Sequence, residues 1–120
     1  MEENVSRDEE LSRLISDEYA SKILSATFKK PMSVQQISRT CVIPIAVAYR
    51  RVGKMEEHGL VKCVGYEEVY RGKKVSYYQC AVNVAKVTFA DGRFNVEIDF
   101  LPDSEMVHVG EASAAPTGKA

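Results

Sequence analysis

The stretch Ser33–Lys62, SVQQISRTCVIPIAVAYRRVGKMEEHGLVK, predicts a helix, a tight turn, a second helix and the start of a strand. Ser33 and Gln36 form a capping-box pattern, in which a hydroxyl and an amide satisfy free backbone groups at the start of a helix. This first helix should stop near Thr40. Pro44 biases the residue before it away from helix and suits the first turn of a new one.

The second helix of this stretch is predicted to run from about Pro44 to His58, with Gly59 as its C-cap. Its buried stripe recurs at helical spacing and comprises Ile45, Ala48, Val52 and Met55. Its free side carries Tyr49, Arg50, Arg51 and Lys54. Two short helices joined by a turn, the second basic on its free side, have the dimensions that a DNA major groove admits.

Helical periodicity also precedes this stretch. Residues from Val5 to Ile15 predict a short amphipathic helix, and Ser16 or Asp17 is a suitable N-cap for a second one. The second helix should end at Lys29–Pro31. The first half of the chain therefore predicts a small bundle of three to four helices.

Alternating patterns replace helical ones after Gly59. A first hairpin is predicted with arms near Lys62–Tyr70 and Val75–Val82, and its tip, Arg71–Lys74, combines a turn glycine with three positive charges. A second hairpin is predicted from Ala85 to Phe100. A basic hairpin beside a helix-turn-helix is a wing, so the predicted fold class is α+β, a winged helix-turn-helix with an additional C-terminal β-hairpin.

The register of the second hairpin follows from its turn, because Asp91-Gly92 is a strong signal for a two-residue loop. One face then pairs apolar residues, namely Phe89 with Phe94, Val87 with Val96 and Ala85 with Ile98. The other face pairs Thr88 with Asn95 and Lys86 with Glu97. We expect one domain over residues 1–101. Residues 102–120 have little apolar content and are predicted to be a flexible tail.

The net charge of −1 conceals an uneven distribution. Residues 28–80 contain ten Lys and Arg against four Asp and Glu, a local charge of +6, and the remainder carries −7. Basic charge concentrated on the helix pair and the first hairpin is typical of a surface that binds a polyanion. The alternative interpretation is that these charges only solvate one face.

Several functional classes are disfavoured. The three cysteines have no CxxC or CxC spacing, so we expect neither a disulfide framework nor a metal site. A Gly-rich phosphate loop, a nucleophile elbow and an HExxH motif are absent from the sequence, so we expect neither an enzyme nor a cofactor. No apolar run approaches the roughly 20 residues of a membrane span, and the acidic start MEENVSRDEE is unlike a signal peptide. We therefore expect a cytoplasmic protein without a membrane partner.

A resemblance to a known family lies in three segments, Pro44–Val52, Met55–Val61 and Tyr70–Tyr78. They are similar to the recognition helix, the helix-ending LEExGLV pattern and the wing of the ArsR/MarR-type winged helix-turn-helix transcriptional regulators, especially the short archaeal members. The metal-sensing members carry a Cys-x-Cys pair on the first helix of the motif. Val34–Ser38 has no such pair, so the resemblance does not imply a metal sensor.

The resemblance and the charge distribution together indicate a DNA-binding transcriptional regulator whose partner is double-stranded DNA. We expect the helix at 44–58 to enter the major groove and the hairpin tip at 71–74 to contact phosphates. The candidate DNA-binding residues are Tyr49, Arg50, Arg51, Lys54, Arg71, Lys73 and Lys74. The helix opens with Ile45, Ala46 and Val47, which cannot hydrogen-bond base edges. This favours an alternative, a winged-helix protein–protein interaction module within a larger assembly that does not bind DNA.

The resemblance also implies a homodimer. A two-fold dimer lets two recognition helices enter successive major grooves about 34 Å apart. We expect the interface to include the first helix, the second hairpin or both, because an isolated two-stranded hairpin with an apolar face is only marginally stable in water.

Overall fold

A computed structural model describes residues 2–110 of the chain, with side chains from residue 7 onward. The helices are α1 (Glu2–Ser16), α2 (Glu18–Lys29), α3 (Val34–Cys41) and α4 (Ile45–Glu57). The strands are β1 (Val61–Glu68), β2 (Lys74–Cys80), β3 (Val82–Ala90), β4 (Arg93–Phe100) and β5 (Val109–Gly110). The fold is α+β, a winged helix with a C-terminal hairpin, as the sequence predicts.

The starts of α2 and α3 have the predicted caps, whereas the C-cap of α4 is His58 and not the predicted Gly59. The Asp17 side chain accepts a hydrogen bond from the Ala20 amide at 3.0 Å, which caps α2. The capping box of α3 is complete, because Ser33 Oγ accepts from the Gln36 amide at 3.2 Å and Gln36 Oε1 accepts from the Ser33 amide at 3.0 Å. Pro44 is the N-cap of α4. The helix α1 extends beyond the predicted range at both ends.

The core lies between α2, α3 and α4 and the start of β1. Its largest fully buried aliphatic side chains are Ile23, Ile37, Met55, Leu60 and Val61. The buried positions on α4 are Ala48, Val52 and Met55, three of the four predicted from helical spacing. The fourth, Ile45, is exposed because it lies at the very start of the helix. This core fixes the orientation of α4 relative to the other helices.

Three strands form the wing sheet, in the order β2-β1-β5. β1 and β2 are antiparallel, and an isolated bridge joins Met32 to Tyr78 on the other side of β2. The Met32 amide donates to the Tyr78 carbonyl at 3.0 Å, and the reverse bond is 2.8 Å. A single bridged residue has no periodicity, so this bridge could not be predicted from the sequence.

The second hairpin has the predicted register from Ala85 to Ile98, and the pairing shifts by one residue between Val82 and Val84. Phe89 pairs with Phe94 and Val87 with Val96. Asp91 and Gly92 form the turn with φ values of 56° and 76°, the two positive values that a type I′ turn requires. α1 packs along β4, and the Asp8 carboxylate accepts a hydrogen bond from the Val96 amide at 3.3 Å.

The prediction of a flexible tail from residue 102 is wrong for residues 102–110. Asp103–Glu105 forms one turn of 3-10 helix, and Val109–Gly110 pairs in parallel with Gly65–Tyr66 of β1. The Val107 amide also donates to Gln79 Oε1 at 2.9 Å. Backbone hydrogen bonds hold this segment, so its low apolar content does not prevent it from packing. Residues 111–120 of the predicted tail lie outside the described residues.

Candidate nucleic-acid interface

The turn between α3 and α4 sets the angle of the helix pair. Val42 ends α3 in the left-handed conformation, with φ 55° and ψ 59°. The Ile43 amide donates to the Ser38 carbonyl at 2.9 Å, and the Ser38 hydroxyl donates back to the Ile43 carbonyl. The Val42 side chain is 82% exposed, so it contributes almost nothing to the core. Backbone and hydroxyl hydrogen bonds therefore hold the turn, and Val42 presents an apolar side chain to the solvent beside it.

The outward side of α4 is opposite its buried stripe of Ala48, Val52 and Met55. Tyr49 is 56% exposed, and Arg50 is also exposed. Among the residues with described side chains, no acidic group lies within ion-pairing distance of Arg50. These two of the predicted contact residues are therefore accessible to a ligand without first breaking an ion pair.

Arg51 was predicted to contact DNA, but in the structure it pairs with an acidic residue of the protein itself. Its Nε donates to Asp17 Oδ2 at 3.0 Å and its Nη2 to Asp17 Oδ1 at 3.1 Å, which makes a bidentate salt bridge. The guanidinium also lies over the Tyr19 ring, 5.8 Å from its centroid. Hydrogen bonds from Arg51 hold the pKa of the Asp17 carboxyl below its ordinary value, although burial acts against this. Arg51 thus joins α4 to the start of α2, because its position on the helix is next to the buried stripe.

Lys54 is also engaged within the protein. Its Nζ lies 3.1 Å from Glu10 Oε2 on α1 and 3.6 Å from Glu57 Oε1 on its own helix. The Lys54 hydrogen bond lowers the pKa of Glu10, and Glu10 in turn raises the pKa of Lys54. His58 Nε2 lies 3.7 Å from the same Glu10 oxygen. Lys54, which was predicted to contact DNA, therefore takes part in a contact between α1 and α4.

The wing tip presents the other three predicted residues. Arg71 and Gly72 form its turn with φ values of 54° and 76°. The Val69 amide donates to the Lys73 carbonyl at 2.7 Å, which closes the loop. Arg71 lies over the Tyr70 ring at 5.2 Å, and Lys74 lies over the Tyr66 ring at 4.7 Å. All three cations, Arg71, Lys73 and Lys74, are exposed.

The structure divides the ten cations of residues 28–80 into two groups. Three of them pair with acidic residues from outside that segment, namely Arg51 with Asp17, Lys54 with Glu10 and Lys62 with Asp103. The remaining seven make no ion pair with any described side chain, and they are Lys29, Lys30, Arg39, Arg50, Arg71, Lys73 and Lys74. Of these seven, three lie at the wing tip, two at the C-terminal end of α2, one on α3 and one, Arg50, on the outward side of α4.

Arg39 is a candidate that sequence reasoning missed. It is exposed on α3, opposite the buried stripe of Val34, Ile37 and Cys41. That opposition could have been read from helical spacing.

Other chemistry has little support in the described part of the chain. No group of three or more His, Cys, Asp or Glu side chains there is arranged to hold a metal ion. Cys41 and Cys80 are buried, and burial raises the pKa of both thiols, which disfavours the reactive thiolate. None of the helices in residues 2–110 is both long and apolar enough to cross a membrane.

Comparison with known proteins agrees with this geometry at the level of the helix pair. The family model described as a helix-turn-helix domain matches residues 15–64, which span α2, α3, α4 and the first strand residues. Most of the wing and the whole second hairpin lie outside the match. No curated protein matches the chain. Residues 15–64 are therefore similar in sequence to a helix-turn-helix domain.

Proposed function

We propose that the protein is a DNA-binding transcriptional regulator of the ArsR/MarR-like winged-helix type. In this proposal α4 enters the major groove, Tyr49 and Arg50 reach base edges, and Arg71, Lys73 and Lys74 contact phosphates of the adjacent backbone. The observation that carries the proposal is the set of seven unpaired cations, three of which lie at the wing tip, while Arg50 lies on the outward side of α4. The helix-turn-helix match supports it independently.

In this proposal Arg51 and Lys54 form ion pairs within the protein and do not contact DNA. Removing either cation from its acidic partner to reach DNA would leave Asp17 or Glu10 without its ion pair. Direct readout of the DNA bases then depends on fewer α4 residues than the sequence analysis predicts, because Arg51 and Lys54 are excluded. Arg50 and Tyr49 are the base-reading candidates, with Ile45 available for contact with thymine methyl groups.

The test uses a pool of duplex genomic fragments, with binding measured by fluorescence anisotropy over a series of salt concentrations. Arg50→Ala should weaken specific binding by about 1–3 kcal/mol if it makes a base contact. Lys73→Ala should lower affinity for all sequences and reduce the salt slope by about one. Arg51→Ala is the matched control, since it removes the neighbouring charge on the same helix but should act mainly on stability.

The alternative is a winged-helix interaction module that does not bind DNA. It is favoured by the exposed apolar groups around the helix pair, Val42, Ile45 and Tyr49. The same binding experiment separates the two. If no fragment binds in a salt-sensitive manner, the interaction module replaces the regulator.

We also propose that the working form is a homodimer. The second hairpin supports this, because it forms a separate two-stranded sheet whose apolar side chains are only partly covered. A two-fold dimer would present two copies of α4 to successive major grooves.

A further inference from the structure

The outer edge of β3 is the feature of the second hairpin that the proposed function does not use. β3 and β4 form a two-stranded sheet, so each strand has one outer edge. The Val96 amide points away from β3, since it donates to Asp8 on α1. In an antiparallel pair, residues directly opposite each other point their backbone groups either both inward or both outward. Val87, which pairs with Val96, therefore points its own amide and carbonyl away from β4.

The same alternation extends along β3. Ala85 and Phe89 lie two residues on either side of Val87, so their backbone groups also point outward. No described residue pairs with this edge, because the sheet ends at β3. By contrast, α1 covers part of the outer edge of β4 through Asp8. The hairpin thus has one protected edge and one open edge.

The protections of the open edge are a register irregularity between Val82 and Val84, outside the stretch 85–89, and one charge, Lys86. β3 is nine residues long, VNVAKVTFA, with no proline and with Lys86 as its single charge. Phe89 is 64% exposed and Val87 is 36% exposed. An edge of this length and apolar character is available to another strand.

We propose that β3 pairs edge to edge with β3 of a second copy of this chain. The two strands run antiparallel about a two-fold axis at Val87, which gives a four-stranded sheet in the order β4-β3-β3-β4. This inference specifies the homodimer of the proposed function and rests on it, but it does not depend on DNA binding. Val87 faces the partner's Val87, Ala85 faces the partner's Phe89, and Phe89 faces the partner's Ala85. The outward amides and carbonyls of these residues then form about six hydrogen bonds.

The side chains of β3 favour this register and favour a second copy of β3 as the partner strand. With the axis at Val87, the large ring of Phe89 lies beside the small side chain of the partner's Ala85, and Lys86 faces the partner's Thr88. With the axis at Lys86, two lysines would be directly opposite each other, which is destabilising. With the axis at Thr88, Ala85 would be opposite the partner's turn residue Asp91, so the pairing would be shorter. The self-complementary register also joins the apolar faces of both hairpins, including the Phe89–Phe94 contact at 4.9 Å between ring centroids.

The first experiment measures the mass of the full chain by light scattering at micromolar concentration. The native protein should be a dimer, and Val87→Lys should shift it to a monomer by weakening dimerisation at least tenfold, because two lysines would face each other. Asn95→Lys is the matched control, since it adds the same charge on the polar face of β4, away from the edge. It should remain a dimer. Circular dichroism should give the same spectrum for all three.

The second experiment tests the register and does not depend on the fold of Val87→Lys. In a Cys63→Ser background, which removes the exposed native thiol, a Lys86→Cys chain is mixed with a Thr88→Cys chain under mild oxidation. The proposed register predicts a disulfide-linked heterodimer from the mixture, while each chain alone should remain unlinked.

The outcomes separate the two proposals. A monomeric native protein overturns both the homodimer and the β3 pairing. A dimer that survives Val87→Lys, together with no cross-link in the mixture, overturns the β3 pairing and leaves the homodimer with another interface. Association with residues 111–120 or with another protein at this edge would show as a monomer by mass and would overturn the inference in the same way.

Discussion

At the residue scale, Val42 is the clearest conflict between a side chain and its backbone. A β-branched residue is rarely found in the left-handed conformation, which costs roughly 1–2 kcal/mol for residues other than glycine. The side chain is almost wholly exposed, so packing does not offset this cost. A glycine would fit the same turn without strain.

We therefore expect Val42→Gly to raise the free energy of unfolding by roughly 0.5–1 kcal/mol, after the entropy that glycine adds to the unfolded chain. Urea denaturation measures this directly. Val42→Ala is the control, because it keeps the strained backbone and should change stability little. An equal or lower stability for Val42→Gly would show that the valine side chain contributes more than its exposure indicates.

Arg50 and Arg51 are adjacent in sequence and have different environments. Arg50 is exposed, whereas Arg51 holds Asp17, which also caps α2. One carboxylate thus fixes both the start of α2 and the position of α4. Arg51 is consequently a stability residue in this structure, and its neighbour remains the candidate for DNA contact.

The Asp17–Arg51 pair predicts a pH dependence. Because the folded pKa of Asp17 is depressed, its contribution to stability is present above the unfolded value of about 3.8 and is lost as the pH falls through the folded value. At neutral pH, Asp17→Asn should lower the free energy of unfolding by about 1–2 kcal/mol. The difference from the native protein should shrink below about pH 4. A difference that stays constant down to pH 2 would contradict the assignment.

At the element scale, the short strand β5 depends on a glycine in β1. A Cβ atom at Gly65 would lie 1.8 Å from the Val109 carbonyl oxygen, and the residue has φ +152°. No side chain fits there while β5 remains in place. An interior glycine in a strand pattern often marks such a close approach of two backbones.

We expect Gly65→Ala to displace residues 102–110 and to lower stability by about 1–3 kcal/mol. Hydrogen exchange should become faster in that segment and remain slow in β2. Gly53→Ala is the control, because its added Cβ would meet no atom within 4 Å and it should instead stabilise α4 by roughly 0.5–1 kcal/mol. Unchanged exchange at residues 102–110 would mean that β5 tolerates the methyl group.

At the scale of the whole molecule, α1 links the two halves of the chain. Asp8 contacts the edge of β4, and two residues later in α1 Glu10 pairs with Lys54 of α4. The proposed dimer edge on β3 and the proposed DNA surface on α4 are therefore connected through one helix. Two-fold pairing at β3 would fix the separation of the two α4 helices by way of this connection.

The sequence by itself determined most of the local structure. The caps at Asp17 and Ser33, the α4 stripe and the register at Asp91-Gly92 all follow from interactions between residues close in the chain. Such patterns are readable because helix and strand periodicity repeat over several residues. The fold class and the register of the second hairpin from Ala85 to Ile98 were predicted for this reason.

Tertiary structure alone decided which cations are free. The spacing of α4 cannot distinguish Arg50 from Arg51 as a DNA contact, because Asp17, which binds Arg51, lies at the start of α2, and Glu10, the nearer partner of Lys54, lies on α1. The same holds for residues 102–110, whose partners on β1 and β2 lie 28 or more residues earlier in the chain. Ion pairs and backbone hydrogen bonds between distant segments leave no periodic pattern in the sequence, so only the folded chain determines them.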